Sequence, residues 1–144
     1  MSAAQVRLLI AGSRTWSPTM SEISAAVGAT LRPLGIDPND LGSVVCGMAR
    51  GVDLAGEVWA LRWGYPVERF PVTSEEWNRL GKRAGHLRNA TMAQVATHAV
   101  LFRDDGPSPG TENMAAQLLG RGTPMRVFTR ASLAELMTRR TVAP

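Results

Sequence analysis

The sequence has 144 residues, 44% of them hydrophobic and 19% charged, a balance that is typical of a globular protein and excludes a disordered chain. The formal net charge is +4 at pH 7, but Lys82 is the only lysine among many arginines, so the bulk charge indicates no particular partner. The one cysteine, Cys46, excludes a disulfide framework, and no apolar run is long enough to span a membrane.

A chain of this length is expected to form one domain, residues 1–144, with a core over about 6–129 and a C-terminal helix and tail at 131–144. The N-terminus has no signal-peptide pattern. We therefore expect a cytoplasmic protein. Cys46 lies within an apolar run, which favours a small buried hydrophobic residue over a nucleophile.

Strand and helix patterns alternate along the chain. Short apolar runs predict strands at 6–11, 44–46, 66–70, 98–102 and 124–128. Apolar residues spaced three or four apart predict helices at 19–31, 54–63, 86–96, 111–119 and 132–139, whereas the polar and basic segment 71–85 is expected to be irregular. Alternation at this spacing predicts a three-layer, doubly wound Rossmann-like α/β fold, with a parallel sheet of about five strands in the order 3-2-1-4-5.

The loop after the second strand, residues 47–53, has the sequence GMARGVD. Its glycines let the backbone approach a ligand closely, and Asp53 is well placed to cap the next helix. Free amides, an arginine and a helix N-terminus in one loop are typical of an anion site.

The strand order also predicts which other loops meet this one. In a doubly wound sheet, ligands bind beyond the carboxyl ends of the strands, where the strand order reverses. That point lies between strands one and four. It places residues 12–14 opposite Gly110 and Thr111, with the 47–53 loop alongside, so we expect three distant loops to form one pocket.

Four segments in this order resemble the SLOG superfamily, a Rossmann-like group that includes the DprA/Smf proteins and the LOG phosphoribohydrolases. They are residues 11–14 (AGSR), 47–53 (GMARGVD), 84–92 (AGHLRNATM) and 108–114 (SPGTENM). Their spacing, with the linker around Trp77 and Lys82, is most similar to the YspA-type branch. The resemblance covers about residues 6–129 and implies a site for a nucleotide or a nucleotide-derived ligand.

The fourth segment departs from the LOG pattern PGGxGTxxE, in which a glutamate follows the threonine by three residues and supports glycosidic cleavage. Met114 stands at that position, and Glu112 points away from it on a helix with about 100° per residue. DprA proteins resemble the chain in three of the segments and bind single-stranded DNA, but they usually carry further domains.

Several candidate residues have a structural alternative to ligand binding. Arg14 is expected either to bind an anion or to pair with Asp53 or Asp104. Arg50 has the same choice, with Asp53 as its local partner. Asp53 is either a helix cap or a partner of a ribose hydroxyl. Ser13, Ser108 and Thr111 either donate hydroxyls to an anion or cap turns and helices, and Arg88 with Asn89 either contacts ligand or forms a surface network.

The tryptophans divide in the same way. Trp16 and Trp77 lie in polar loops and are expected either to cover a base or to cover the core, whereas Trp59 and Trp63 are predicted to be core residues. The complete set of predicted ligand-binding residues is Gly12, Ser13, Arg14, Trp16, Gly47, Met48, Ala49, Arg50, Gly51, Asp53, Trp77, Lys82, Arg88, Asn89, Ser108, Gly110, Thr111 and Glu112.

The sequence thus favours binding of a nucleotide-derived phosphorylated ligand, for sensing or sequestration. One alternative is an N-glycosidase of the LOG type with Glu112 or Asp53 as the catalytic carboxylate. The other is single-stranded nucleic-acid binding through the basic cluster 79–88. No cofactor or metal site is expected, because the two histidines and the cysteine have no ligand spacing. A small ligand, a single-stranded nucleic acid and a second copy in a homodimer are the expected partners, and a membrane is not.

Overall fold

The structure is a computed structural model that describes residues 6–47 and 49–142, with side chains to residue 139. Its sheet has five parallel strands: β1 (Arg7–Gly12), β2 (Ser43–Cys46), β3 (Val67–Arg69), β4 (His98–Arg103) and β5 (Met125–Thr129). The strand order is β3-β2-β1-β4-β5, which confirms the predicted doubly wound Rossmann-like fold. Met48, one of the predicted ligand-binding residues, lies outside the described residues.

Six α-helices in the described part of the chain cover the two faces of this sheet. They are α1 (Met20–Leu31), α2 (Val52–Trp63), α3 (Ser74–Leu80), α4 (Lys82–Val95), α5 (Pro109–Gly120) and α6 (Arg130–Val142). Helices α1, α2 and α6 pack on one face, and α4 and α5 pack on the other, with α3 against α4. The right-handed crossover of each parallel connection requires this division between the faces.

The central strand β1 supplies both cores. Leu8 and Ile10 belong to the core under α1, α2 and α6, whereas Leu9 and Ala11 belong to the core under α4 and α5. Leu9 pairs in register with Val45 of β2 and with Ala99 of β4. Burial on both faces explains why this strand is continuously apolar rather than alternating.

The prediction of an irregular segment at 71–85 is wrong, because this stretch forms α3 and the first turn of α4. A capping box starts α3: Thr73 Oγ1 accepts a hydrogen bond from the Glu76 amide (3.1 Å), and Glu76 Oε1 accepts one from the Thr73 amide (3.3 Å). Gly81, with φ of 58°, separates the two helices. Polar composition therefore concealed a helix whose start is set by side-chain capping.

One of the two tryptophans of α2 does not lie where the sequence predicts it. Trp59 is buried, and its Nε1 donates a hydrogen bond to Ser24 Oγ (2.9 Å), as expected for a core residue. Trp63 is 61% exposed, so its predicted place in the core is wrong, because it lies on the last turn of the helix, beside the chain reversal at Gly64. None of the helices in the described ranges is both long and apolar enough to cross a membrane.

Candidate ligand-binding cleft

A cleft of about 530 Å³ opens at the carboxyl edge of the sheet, where the loops after β1 and β4 meet α4. We call it the inner cleft. Ligand sites of small molecules typically have volumes of about 300–1,000 Å³. Twelve of the predicted ligand-binding residues line it: Gly12, Ser13, Arg14, Ala49, Asp53, Trp77, Lys82, Arg88, Asn89, Ser108, Gly110 and Thr111. The predicted gathering of distant loops at one edge of the sheet is therefore present in the structure.

Buried hydroxyl groups form the floor of the inner cleft. Ser13 Oγ and Ser108 Oγ lie 2.6 Å apart, and Ser108 Oγ donates to Thr111 Oγ1 at 3.1 Å. Ser13 Oγ also accepts a hydrogen bond from the amide of Asp104 (2.9 Å). These bonds fasten the loop after β1 to the start of α5 and hold the two halves of the cleft at a fixed separation.

The N-terminus of α5 faces the cleft with unused donors. The N-cap residue Ser108 makes no side-chain capping bond to the helix. Among the described residues, none accepts a hydrogen bond from the amide of Gly110 or Thr111. These amides, at the positive end of a helix of 12 residues, suit a negatively charged group.

Asp53 is buried in the cleft and is not the N-cap of α2. The N-cap of α2 is Gly51, so the predicted capping role of Asp53 is wrong, and its side chain instead accepts a hydrogen bond from the Ala49 amide (3.3 Å). Asp53 is 3% exposed. Burial raises the pKa of its carboxyl group to about 6, although the Arg88 guanidinium and the Ala49 amide lower it in part. This carboxyl group therefore titrates close to neutral pH.

Gly51 serves the fold rather than the ligand. Its φ is 79°, and a Cβ atom there would lie 2.5 Å from the Ser13 carbonyl oxygen. That carbonyl accepts a hydrogen bond from the Val52 amide (3.2 Å), which joins the loop after β1 to the start of α2. Gly51 does not line the inner cleft, so its predicted place among the ligand-binding residues is corrected to a structural one.

Arg88 connects α4 to the loop after β2. Its Nη1 donates to the Gly47 carbonyl (3.0 Å) and its Nη2 to Asn89 Oδ1 (3.3 Å). Its Nε is buried without a hydrogen-bond partner among the described residues. A buried unpaired donor costs about 1–3 kcal/mol, which indicates that stability alone does not explain this arginine.

Gly47 and Asn89 complete the wall beside Arg88. A Cβ atom on Gly47 would lie 2.7 Å from Asp53 Oδ2 and 3.2 Å from Arg88 Cζ, so only glycine leaves room for both charged groups. Asn89 is buried, and its Nδ2 donates to the Gly110 carbonyl (3.2 Å) and to Asn113 Oδ1 (3.1 Å). The amide of Asn89 thus joins α4 to α5 across the cleft.

The rim of the cleft carries exposed cations. Arg14 makes no ion pair or hydrogen bond with any residue that the structure describes, although its charge helps to lower the pKa of Asp53. The alternative pairing of Arg14 with Asp104 is wrong, because Arg130 Nε holds the Asp104 carboxylate at 2.7 Å and keeps its pKa well below the usual range. Lys82 is exposed at the same rim, and Trp77 is 49% exposed.

Two further predicted site residues, like Gly51, lie outside the cleft. Trp16 is 4% exposed and packs edge-on against Phe102 (5.6 Å between ring centroids), with Arg130 Cζ 4.8 Å from its own ring, so it belongs to the core and not to the cleft. Glu112 is exposed and pairs with Arg103 (2.7 Å). The catalytic carboxylate predicted at Glu112 is therefore wrong, because that side of α5 faces away from the cleft, whereas Met114 lines it.

A second cavity, of about 640 Å³, adjoins the inner cleft. We call it the outer groove. Gly47 and Arg50 line this groove and not the inner cleft. Residues of α3 and of the segment before it, including Thr73, Ser74 and Asn78, form its far side.

Sequence reasoning missed the apolar wall and the α3 side of the site. Met92 and Met114 are buried and line the inner cleft, but methionines at helical spacing carry no signal that separates cleft from core. The pattern Thr73 to Glu76 was available as a capping-box signal for α3. Within 6–47 and 49–142, no three His, Cys, Asp or Glu side chains are grouped to hold a metal ion.

The chain is similar to known proteins in structure and in sequence. No protein-family model matches the chain. Its structure is similar to that of DNA processing protein A (DprA) from Streptococcus pneumoniae, with a TM-score of 0.44 and 16% sequence identity. That similarity covers 92% of this chain and 62% of the DprA chain, so the chain spans less than two thirds of that protein.

The chain is also similar in sequence to a phage protein. The chain is 35% identical over 127 residues to the gene 61 protein of Mycobacterium phage D29, which covers 85% of this chain and 95% of the phage protein. The chain belongs to the same family as the gene 61 protein of Mycobacterium phage D29.

Proposed function

We propose that the protein binds a small nucleotide-derived phosphorylated ligand in the inner cleft, for sensing or sequestration. The observation that carries the proposal is the convergence of Arg14, Arg88 and the free amides at the start of α5 on one cleft of about 530 Å³. Charge-assisted hydrogen bonds from guanidinium groups and amides are the usual means of holding phosphate.

We infer a place for each part of such a ligand from the residues that line the cleft. A phosphate lies against the amides of Gly110 and Thr111, with Arg88 opposite. The base packs between Trp77 and the apolar wall of Met92 and Met114, since an exposed tryptophan at a cleft mouth gains most from covering an aromatic ring. Asp53 is suited to a ribose hydroxyl, to which its carboxyl group bonds in the protonated form without repelling the phosphate.

Mass spectrometry of small molecules released from the heat-denatured protein tests the proposal directly. A nucleotide derivative is the expected finding. Isothermal titration calorimetry with AMP, ADP-ribose and cyclic AMP then measures affinity for defined ligands. Absence of any bound nucleotide together with no heat of binding for this panel would overturn the proposal.

The same titration separates small-ligand binding from nucleic-acid binding. Arg79, Lys82, Arg83 and His86 are exposed on α3 and α4 beside the cleft. If these residues bind single-stranded DNA, affinity rises with oligonucleotide length and falls steeply with salt. If the inner cleft is the site, affinity is independent of length beyond the part that fills the cleft.

One observation favours an enzyme as the second candidate. Asp53 is a buried carboxyl group in the cleft with its pKa raised to about 6, which is the range in which a carboxyl group exchanges protons at neutral pH. Such a group suits hydrolysis of a nucleotide N-glycosidic bond. The test is to incubate the protein with nucleoside monophosphates and to measure the release of free base. Release that persists in Glu112→Gln and disappears in Asp53→Asn would show that the function is catalysis and not binding alone. No release by the unaltered protein would exclude it for those substrates.

A further inference from the structure

The inner cleft and the outer groove are adjacent cavities that share part of their lining. Both are lined by Arg14, Ala49, Trp77, Gly85 and Arg88. These shared residues form the boundary between the two cavities, and Arg14, Trp77 and Arg88 all belong to it. A ligand that fills the inner cleft and extends across this boundary would reach the outer groove.

The two cavities differ in charge. The inner cleft contains the carboxyl group of Asp53 beside its cations. The outer groove is lined by Arg14, Arg50 and Arg88, and none of its described lining residues is acidic. Asp53 offsets part of the charge of Arg88, whereas Arg14 and Arg50 have no ion-pair partner among the described residues and give this concave surface a positive potential that attracts a second anion.

Arg50 is the residue that distinguishes the outer groove. It is exposed and forms no hydrogen bond or ion pair with any described residue, and it does not line the inner cleft. Its alternative as the local partner of Asp53 is not realised, because that carboxyl group lies among Gly47, Ala49 and Arg88. The guanidinium of Arg50 is therefore available to a ligand in the groove.

We propose that the ligand carries at least two phosphate groups, one in the inner cleft at the start of α5 and a second in the outer groove at Arg50. This inference rests on the proposed function and names the class of its ligand. The shared chemistry is a second phosphate joined to a nucleotide, either through a pyrophosphate, as in nucleoside diphosphate derivatives, or through a phosphodiester, as in dinucleotides.

Calorimetric titration of the full chain with AMP, ADP-ribose and the dinucleotide pApA tests the inference. The unaltered protein is expected to bind at least one of the two-phosphate ligands about tenfold or more tightly than AMP. The preferred ligand of the pair identifies the linkage. Arg50→Ala is expected to remove most of this advantage and to leave the affinity for AMP within about twofold.

Arg79→Ala is the matched control, because Arg79 is an exposed arginine on α3 that lines neither cavity. It is expected to change no affinity. Both variants should melt like the unaltered protein, since neither side chain supports the fold by a described contact.

Other results of these titrations would overturn either the second phosphate site or the proposed function. Equal affinity for AMP and both two-phosphate ligands, or equal weakening of all three by Arg50→Ala, overturns the second phosphate site and leaves the proposed function standing. Absence of binding by all three ligands overturns both.

Discussion

The floor and the rim of the site are built in opposite ways. On the floor, Ser13, Ser108 and Thr111 are each less than a tenth exposed, and their hydroxyl groups bond to one another. On the rim, Arg14, Arg50 and Lys82 are exposed, and the described residues provide no ion-pair partner for them. The floor residues therefore support the fold, whereas the rim cations have no partner among the described residues that ties them to it.

The largest expected effect on stability is that of a substitution at Gly12, next to Ser13 of the floor, where the backbone leaves no room for a side chain. A Cβ atom on Gly12 would lie 2.1 Å from the Phe102 carbonyl oxygen, in the β1–β4 pair. Gly12→Ala is therefore expected to lower the free energy of unfolding by about 3 kcal/mol or more. Urea denaturation measures this. Gly110→Ala is the control, because nothing lies within 4 Å of a Cβ atom there, and equal losses in the two variants would contradict the comparison.

The next effect concerns the hydroxyl network of the floor. Ser13→Ala removes the group that accepts from the Asp104 amide and contacts Ser108 Oγ, and leaves those buried groups without that partner. We expect a loss of about 1–3 kcal/mol in the free energy of unfolding. Ser74→Ala, at an exposed serine of the outer groove, should change it by less than about 0.5 kcal/mol. A stable Ser13→Ala protein would show that the floor does not support the fold.

Substitution of a rim arginine is expected to weaken ligand binding and to leave the stability unchanged. Arg14 has no described contact to lose, so Arg14→Ala is expected to leave the melting temperature unchanged and to weaken ADP-ribose binding about tenfold, which corresponds to about 1.4 kcal/mol. Calorimetry and thermal melting together check this. Unfolding without loss of affinity in the remaining folded protein would place Arg14 in the framework of the fold instead.

The smallest expected effect is the dependence of binding on pH. The pKa of Asp53 is about 6, so its carboxylate appears as the pH rises through 6 and repels a nearby phosphate. ADP-ribose suits the measurement because its pyrophosphate keeps its charge over this range. Its affinity is expected to fall about threefold to tenfold between pH 5 and pH 8. Asp53→Asn should flatten the profile, and a profile that rises with pH would contradict the assignment.

The same pKa predicts a change in stability with a definite sign. Because the pKa of Asp53 is raised on folding from 3.8 to about 6, the folded state binds the proton more tightly. The contribution of Asp53 to stability is therefore fully present below pH 3.8 and is lost as the pH rises to about 6. Asp53→Asn should remove this component from the pH profile of the unfolding free energy.

The sequence was sufficient for the order of the strands and for the meeting of the loops. Apolar runs such as Val44 to Cys46 predict buried strands, and the rules for parallel connections then leave few arrangements. It was not sufficient for α3, whose start depends on the Thr73 capping box, nor for the apolar wall of Met92 and Met114. A methionine at helical spacing is the same signal whether it faces a core or a cleft.

The sequence by itself determined the framework. Hydrophobic periodicity and chain order are local properties, and they placed Gly12, Asp53 and Thr111 at one edge of the sheet. Only the tertiary structure decided the choice of partner for each polar group. Asp104 pairs with Arg130 and not with Arg14, Trp16 packs on Phe102 while Trp77 stays at the mouth, and Glu112 turns away toward Arg103. Such choices depend on distances in space between residues far apart in the chain, and the spacing of residues along the sequence does not contain them.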